Sequence, residues 1–175
     1  GGATIRKDAL PARTEDGRSV WVTRHRPKID RIACPWLIRR FIDCRAQFLF
    51  VEPDHVLAVA NELGAIAYDI EGARYTHAGE RCTFETLVEV FDLTDEAVRS
   101  LCPIVRGADT ARFELAPEAA GLAAASFGVS ALAGEDDHAA LRHGFAIYDA
   151  LYAWRRFAAQ ETHNWPSKAG KGIAS

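Results

Sequence analysis

Segments with the pattern of β-strands are confined to the first half of this chain, and this distribution limits the folds it can adopt. Residues 19–25 (SVWVTRH), 47–52 (QFLFVE) and 65–70 (AIAYDI) are short and rich in β-branched and aromatic residues. From residue 82 onwards the segments instead have the caps and acidic starts of helices, and the last one runs over residues 135–160. The sequence therefore predicts an α+β fold, a helix-rich single domain with a small sheet from the N-terminal half.

Length and composition set the organisation of the chain. Its 175 residues are enough to bury a core, and we expect a flexible leader over residues 1–18, the folded domain over 19–160 and a tail over 161–175. A net charge of −3 and the lack of a basic helix-turn-helix argue against direct nucleic-acid binding. Because no apolar run could span a bilayer and no secretion signal is visible, we expect a cytoplasmic location with no membrane contact.

The cysteines form no CxxC pair and lack the spacing of zinc fingers. We interpret them as reduced thiols that serve as small buried hydrophobic residues, and they are Cys34, Cys44, Cys82 and Cys102. Cys82 directly precedes a predicted helix, whose dipole would lower the pKa of the thiol and make it the most reactive of the four.

The stretch DRIACPWLIRRFI, residues 30–42, is predicted to be a helix with Asp30 as its N-cap. At about 100° per residue, the face expected in the core carries Cys34, Leu37, Ile38 and Phe41. On the other side Trp36 precedes Arg39 and Arg40 at the spacing for stacking of a guanidinium on an indole. These arginines are expected either to face a polar pocket or to pair with surface acids.

The last predicted helix carries an unusual stripe of polar and aromatic residues. Eleven residues make almost three turns, so the stripe contains His138, Arg142, Phe145, Asp149 and Tyr152. It could line a pocket in which Asp149 orients a histidine or an arginine. The alternative is that Asp149 forms a buried salt bridge that joins two helices.

Two loops add further candidate residues. In THAGERCTFE, residues 76–85, His77 and Arg81 lie just before a helix N-terminus, where backbone amides favour an anion. In VRGADT, residues 105–110, Arg106 and Asp109 flank Gly107, which is also predicted to be an ordinary helix C-cap.

These residues favour a small oxyanion or a metal ion as ligand over a large polymer. No dinucleotide-binding, P-loop or nucleophile-elbow motif is present. The metal hypothesis requires zinc, iron or manganese to be held by Asp30, His77, Asp109, His138 and Asp149. A third alternative is a partner module without a ligand, forming a homodimer through its helices.

Several segments, taken in order, resemble the C-terminal domain of the chromate-resistance protein ChrB family, also called the chromate resistance exported protein domain. They extend from about residue 21 to residue 154 and read RPKIDRIACPWLIRRFID, FLFVEP, HAGERCTFETL, IVRGADT, APEAAGL and DDHAALRHGFAIYDALYAW. Members are encoded with chromate transporters, so the resemblance implies an accessory or regulatory role in chromate resistance, a stress response.

The resemblance suggests chromate as the oxyanion. Chromate is a tetrahedral dianion, and arginine offers it planar, forked donors. The oxyanion hypothesis places such a ligand in a pocket formed by Arg31, Arg39, Arg40, His77, Arg81, Arg106 and His138. Cys82 is then the candidate catalytic reductant or redox sensor, and the sequence leaves open whether the protein is an enzyme.

Overall fold

The sheet lies in the N-terminal half, as predicted, and consists of three short parallel strands. β1 (Val20–Arg24) is central, β2 (Gln47–Val51) pairs along one edge of it and β3 (Ile66–Ala67) along the other. The third strand is shorter than the six residues that the sequence suggested. The backbone of Tyr68 still donates to Val22, and the chain bends at Asp69, which has a positive φ of 51°.

The computed structural model describes residues 14–162, so most of the predicted leader and tail lies outside the described residues. Within this range the remainder is mainly helical, in α1 (Asp30–Leu37), α2 (Val56–Leu63), α3 (Thr83–Val90), α4 (Glu96–Asp109), α5 (Ala119–Ala133) and α6 (Asp137–Ala153). π-helical turns over Ile38–Ile42 and Trp154–Ala158 extend α1 and α6. This composition confirms the α+β prediction. None of the described helices is both long and apolar enough to cross a bilayer.

Alternation along β1 sends neighbouring side chains into two different hydrophobic clusters. Trp21 joins the main core with α1, whereas Val22 packs with Val56 of α2 and Ala67 of β3 on the opposite face of the sheet. The sheet is therefore covered on both faces, which is the usual arrangement for parallel strands.

Helix α1 is buried on all sides. The predicted core residues Cys34, Leu37 and Ile38 are fully buried, whereas Phe41 is partly buried. Ile32 and Trp36, on the opposite side of the helix, are fully buried as well. The indole of Trp36 packs among aromatic rings of three other segments, namely Phe41, Phe84, Tyr148 and Tyr152. The prediction that it stacks with Arg39 and Arg40 is therefore wrong: both guanidinium groups lie over phenylalanine rings instead.

Two glycines allow helices to approach closely. A Cβ added to Gly144 of α6 would lie 2.5 Å from Cγ2 of Ile32 in α1. Gly107 lies inside α4, which ends at Asp109, so the prediction that it is a C-cap is wrong. A Cβ there would lie 2.9 Å from Cβ of Ala119 in α5, so this glycine is explained by packing between helices.

We expect Gly144→Ala and Gly128→Ala to have opposite effects on stability. Gly144→Ala should lower the free energy of unfolding by about 1–3 kcal/mol, because the added methyl overlaps Ile32. Gly128 lies on α5 with no atom near the position of its Cβ, so Gly128→Ala should raise the free energy by about 0.5–1 kcal/mol. Urea unfolding followed by tryptophan fluorescence measures both, and equal effects would contradict this account of the α1–α6 contact.

Candidate metal centre

The carboxylate of Asp30, the first residue of α1, is fully buried. It accepts hydrogen bonds from the backbone N–H groups of Thr83 (2.7 Å) and Phe84 (2.9 Å), in the first turn of α3. Asp30 thus caps a neighbouring helix. The prediction that it caps its own helix is wrong, because Ile29 occupies that N-cap position and makes no side-chain cap hydrogen bond. The positive end of the α3 dipole stabilises the buried charge.

His77 brings together three carboxylates from different parts of the chain. Its Nε2 atom lies 3.4 Å from Oδ2 of Asp30, 3.3 Å from Oδ1 of Asp69 and 3.3 Å from Oδ2 of Asp109. Asp69 follows β3 and Asp109 ends α4, so the sheet and two helices each supply one acid. We call these four residues the Asp/His cluster.

Asp69 is the member of the cluster that the sequence analysis missed. It has a positive φ of 51°, accepts a hydrogen bond from the Thr83 hydroxyl (2.8 Å) and lies 3.2 Å from Nε of Arg31. Its place just beyond the carboxyl end of a parallel strand is where ligand-binding residues of such sheets gather, and that signal could have identified it.

The pKa values of the cluster reflect excess negative charge. Hydrogen bonds to Asp30 and Asp69 raise the pKa of His77 to about 10. Burial, followed by the charges of Asp30 and Asp69, raises the pKa of Asp109 to about 7. Burial also raises the pKa of Asp30, whereas hydrogen bonds from His77 and Thr83 outweigh burial at Asp69 and hold its pKa below the ordinary value.

The same atoms have the spacing that a metal ion needs. One ligand atom from each of Asp30, Asp69 and His77 lies within 4.8 Å of the others. Carboxylate oxygens with one imidazole nitrogen form a hard to borderline donor set, which suits manganese, iron or zinc. Of the five residues predicted as metal ligands, Asp30, His77 and Asp109 thus lie together.

Cys82 belongs to the surroundings of the cluster, but as a buried group. It is the N-cap of α3, and burial followed by the charge of Asp30 raises the pKa of its thiol. The prediction that the helix dipole lowers this pKa is therefore wrong, because loss of solvent outweighs the dipole. The prediction that the cysteines are buried is correct for Cys34 and Cys82, whereas Cys102 is partly buried and Cys44 is exposed.

Three arginines predicted to bind an oxyanion lie next to carboxylates. Nε of Arg31 is 3.2 Å from Oδ2 of Asp69, and Nε of Arg106 is 3.5 Å from Oε1 of Glu85. Arg81 forms an ion pair with Glu89 on α3. The charges of Arg31 and Arg106 therefore offset acids in and beside the Asp/His cluster, whereas Arg81 pairs with an exposed acid of α3.

Asp149 and Arg40 form a tether between α6 and the end of α1. The Asp149 carboxylate accepts from Nε and Nη2 of Arg40 at 2.9 Å each, and from Nε1 of Trp36 at 2.8 Å. This geometry fits the structural alternative for Asp149, in that the acid joins two helices, but the prediction that the salt bridge is buried is wrong, because the side chains of Arg40 and Asp149 are 44% and 47% exposed. It also occupies the forked donors of Arg40.

Arg39 and His138 lie at a different place again. Together with Leu141, Arg142 and Phe145 they line a surface pocket of about 230 Å³. The His138 ring meets Phe50 edge-on, at 5.5 Å between centroids. The seven residues of the predicted oxyanion pocket are therefore divided among the Asp/His cluster and its surroundings, the Asp149 tether and this pocket.

Comparison with known proteins identifies the family. The profile of the family described as "ChrB, C-terminal domain" matches residues 21–155. Protein ChrB of Cupriavidus metallidurans is 36% identical over 138 residues, which cover 75% of this chain and 39% of the length of that relative. No solved structure shows a significant match. The chain belongs to the ChrB C-terminal domain family.

Proposed function

We propose that this domain binds a divalent cation at the Asp/His cluster and acts as a metal-dependent component of chromate resistance. Membership of the ChrB family supports the relation to chromate resistance. The metal-binding role rests on the residues of this chain.

One observation carries the proposal: three carboxylates converge on one imidazole nitrogen, at 3.3–3.4 Å. Asp30 is fully buried, Asp69 is almost so, and Asp109 is mostly buried, so their mutual repulsion is poorly screened by water. A single histidine proton offsets one of these three charges, whereas a divalent cation between the same atoms would offset two.

Access to the cluster favours a functional metal over a purely structural one. The side chain of His77 is 42% exposed, whereas the acids lie beneath it. A cation held here would keep an open side towards solvent, as catalytic and sensing metals do and closed structural sites do not. An enzyme or a metal-dependent sensor therefore fits better than a fold-stabilising ion.

The oxyanion hypothesis does not apply to the cluster itself. Arg31 and Arg106 lie beside carboxylates, and the acids outnumber them. A chromate-like dianion would meet net negative charge there.

We expect the protein, purified without a histidine tag and stripped with EDTA, to bind about one equivalent of Mn²⁺ or Zn²⁺ in isothermal titration calorimetry. Asp69→Asn and His77→Gln should each weaken binding by at least about tenfold, because each removes a ligand. Asp149→Asn is the matched control, since that acid lies in the tether and should leave affinity unchanged. Absence of saturable binding, or equal affinity in all three variants, would refute the metal site.

Asp109→Asn provides a second test, through pH dependence in the metal-free protein. Because the fold raises the pKa of Asp109 from 3.8 to about 7, the stability linked to its proton is present below the unfolded value and lost as pH rises through about 7. Asparagine carries no charge, so the variant should melt at a higher temperature than wild type at pH 8 and differ little at pH 5.

The metal affinity of Asp109→Asn should decrease at the pH at which its melting temperature increases. At pH 8 the same Asp109→Asn substitution should weaken Mn²⁺ binding by about tenfold or more, since it removes a carboxylate beside the ligands. A variant that gains stability and loses metal affinity shows the trade-off expected when a charged residue of a functional site is replaced. A variant that loses stability equally at both pH values would show instead that Asp109 is a structural ion-pair partner.

A further inference from the structure

The two oxygens of the Asp30 carboxylate have different partners. Oδ1 accepts the backbone N–H of Phe84 at 2.9 Å and lies 3.4 Å from Sγ of Cys34. Oδ2 accepts the backbone N–H of Thr83 at 2.7 Å and lies 3.4 Å from Nε2 of His77. Asp30 therefore offers Oδ2 to the Asp/His cluster, while Oδ1 is used within the core.

The carboxylate of Asp69 is divided in the same way. Oδ1 accepts the Thr83 hydroxyl at 2.8 Å and lies 3.3 Å from Nε2 of His77. Oδ2 lies 3.2 Å from Nε of Arg31, whose side chain is only 15% exposed. Because water screens this ion pair poorly, the arginine holds Oδ2 towards itself. Asp69 thus also offers one oxygen, Oδ1, to the cluster.

Carboxylates oriented in this way bind a cation through one oxygen each, and this distinguishes between ions. Ca²⁺ takes about six to eight oxygen ligands, and proteins commonly supply some of them as carboxylates that bind through both oxygens. Zinc sites are complete with four ligands, and an imidazole nitrogen suits transition metals better than Ca²⁺. Single oxygens beside one imidazole therefore favour a small transition-metal ion.

We propose that Arg31 makes the Asp/His cluster selective for a small transition-metal dication over Ca²⁺, by restricting Asp69 to one ligand oxygen. This inference rests on the metal-binding role proposed above and adds which class of ion the site accepts. Arg31 is a positioning residue, because it acts through Asp69 and is not itself a ligand. Its loss would free Oδ2 of Asp69, which could then serve as the additional oxygen that Ca²⁺ requires.

Arg106 carries the same charge beside the cluster, but its partner is a different acid. Its Nε atom lies 3.5 Å from Oε1 of Glu85, and its side chain is 24% exposed. Loss of either arginine removes one positive charge near the metal, which should strengthen the binding of every divalent cation. Loss of Arg31 alone also frees an oxygen of Asp69. The ratio of two metal affinities therefore separates the positioning role from the effect of charge.

The test measures the affinities of metal-free protein for Mn²⁺ and for Ca²⁺ by isothermal titration calorimetry, after EDTA has been removed. Wild type should bind Mn²⁺ at least about tenfold more tightly than Ca²⁺. In Arg31→Gln this ratio should fall by about tenfold, the usual effect of losing a residue that orients a metal ligand. Arg106→Gln is the matched control and should keep the wild-type ratio.

The results separate this inference from the metal site itself. If Mn²⁺ binds but Arg31→Gln keeps the wild-type ratio, or if Arg106→Gln lowers it equally, the role of Arg31 is overturned and the metal site stands. Equal affinity of wild type for the two ions also overturns the inference. If neither ion binds, both proposals fail.

Thr83→Val decides the question if Arg31→Gln does not fold. This substitution removes the hydroxyl that orients Oδ1 of Asp69 and leaves every charge in place. The ratio of Mn²⁺ to Ca²⁺ affinity should then fall as it would without Arg31, because the carboxylate is free to turn. A variant that keeps the wild-type ratio would show that the orientation of Asp69 does not set the choice of ion.

Discussion

The arrangement of this domain depends on the hydrogen bonds that the buried carboxylate of Asp30 accepts from the first amides of α3. Isolated in the core, such a charge would be strongly unfavourable, and it is tolerated because the first amides of α3 donate to it. That contact fixes the N-terminus of α3 against the start of α1. It also sets one oxygen of Asp30 at 3.4 Å from His77, so the hydrogen bonds that join two helices also position the first acid of the cluster.

Arg39 and Arg40 are adjacent in sequence but have different environments, and both lie in the π-helical turn over Ile38–Ile42. A π-helical turn holds more residues than an α-helical one, so side chains beyond Leu37 depart from the positions of a regular helical wheel. Arg40 meets Asp149 and closes the tether to α6, whereas Arg39 lies between two phenylalanines and donates to the carbonyl of Ala46. Successive side chains of a helix point about 100° apart, so the two arginines reach different partners.

Local patterns predicted the fold class and the core face of α1, because strand alternation and helical spacing are properties of neighbouring residues. They also identified Asp30, His77 and Asp109 as candidate metal ligands, because an acid or a histidine in a loop or at a helix end can be recognised from its local sequence alone. Their convergence depends on how α1, β3 and α4 pack, which no spacing encodes, and Asp69 was missed within a segment interpreted as a strand. The pKa of Cys82 was mispredicted for a related reason: the dipole was visible in the sequence, and the burial that outweighs it was not.

Charge balance describes the electrostatics of the Asp/His cluster. In and around the cluster, four carboxylates (those of Asp30, Asp69, Glu85 and Asp109) face two arginines, Arg31 and Arg106, which leaves two negative charges. Without a metal this excess of negative charge favours the binding of protons. It adds to the hydrogen bonds that raise the pKa of His77 to about 10 and to the burial that raises the pKa of Asp109 to about 7. A divalent cation would supply the same two charges while leaving the imidazole neutral, the form in which it coordinates a metal.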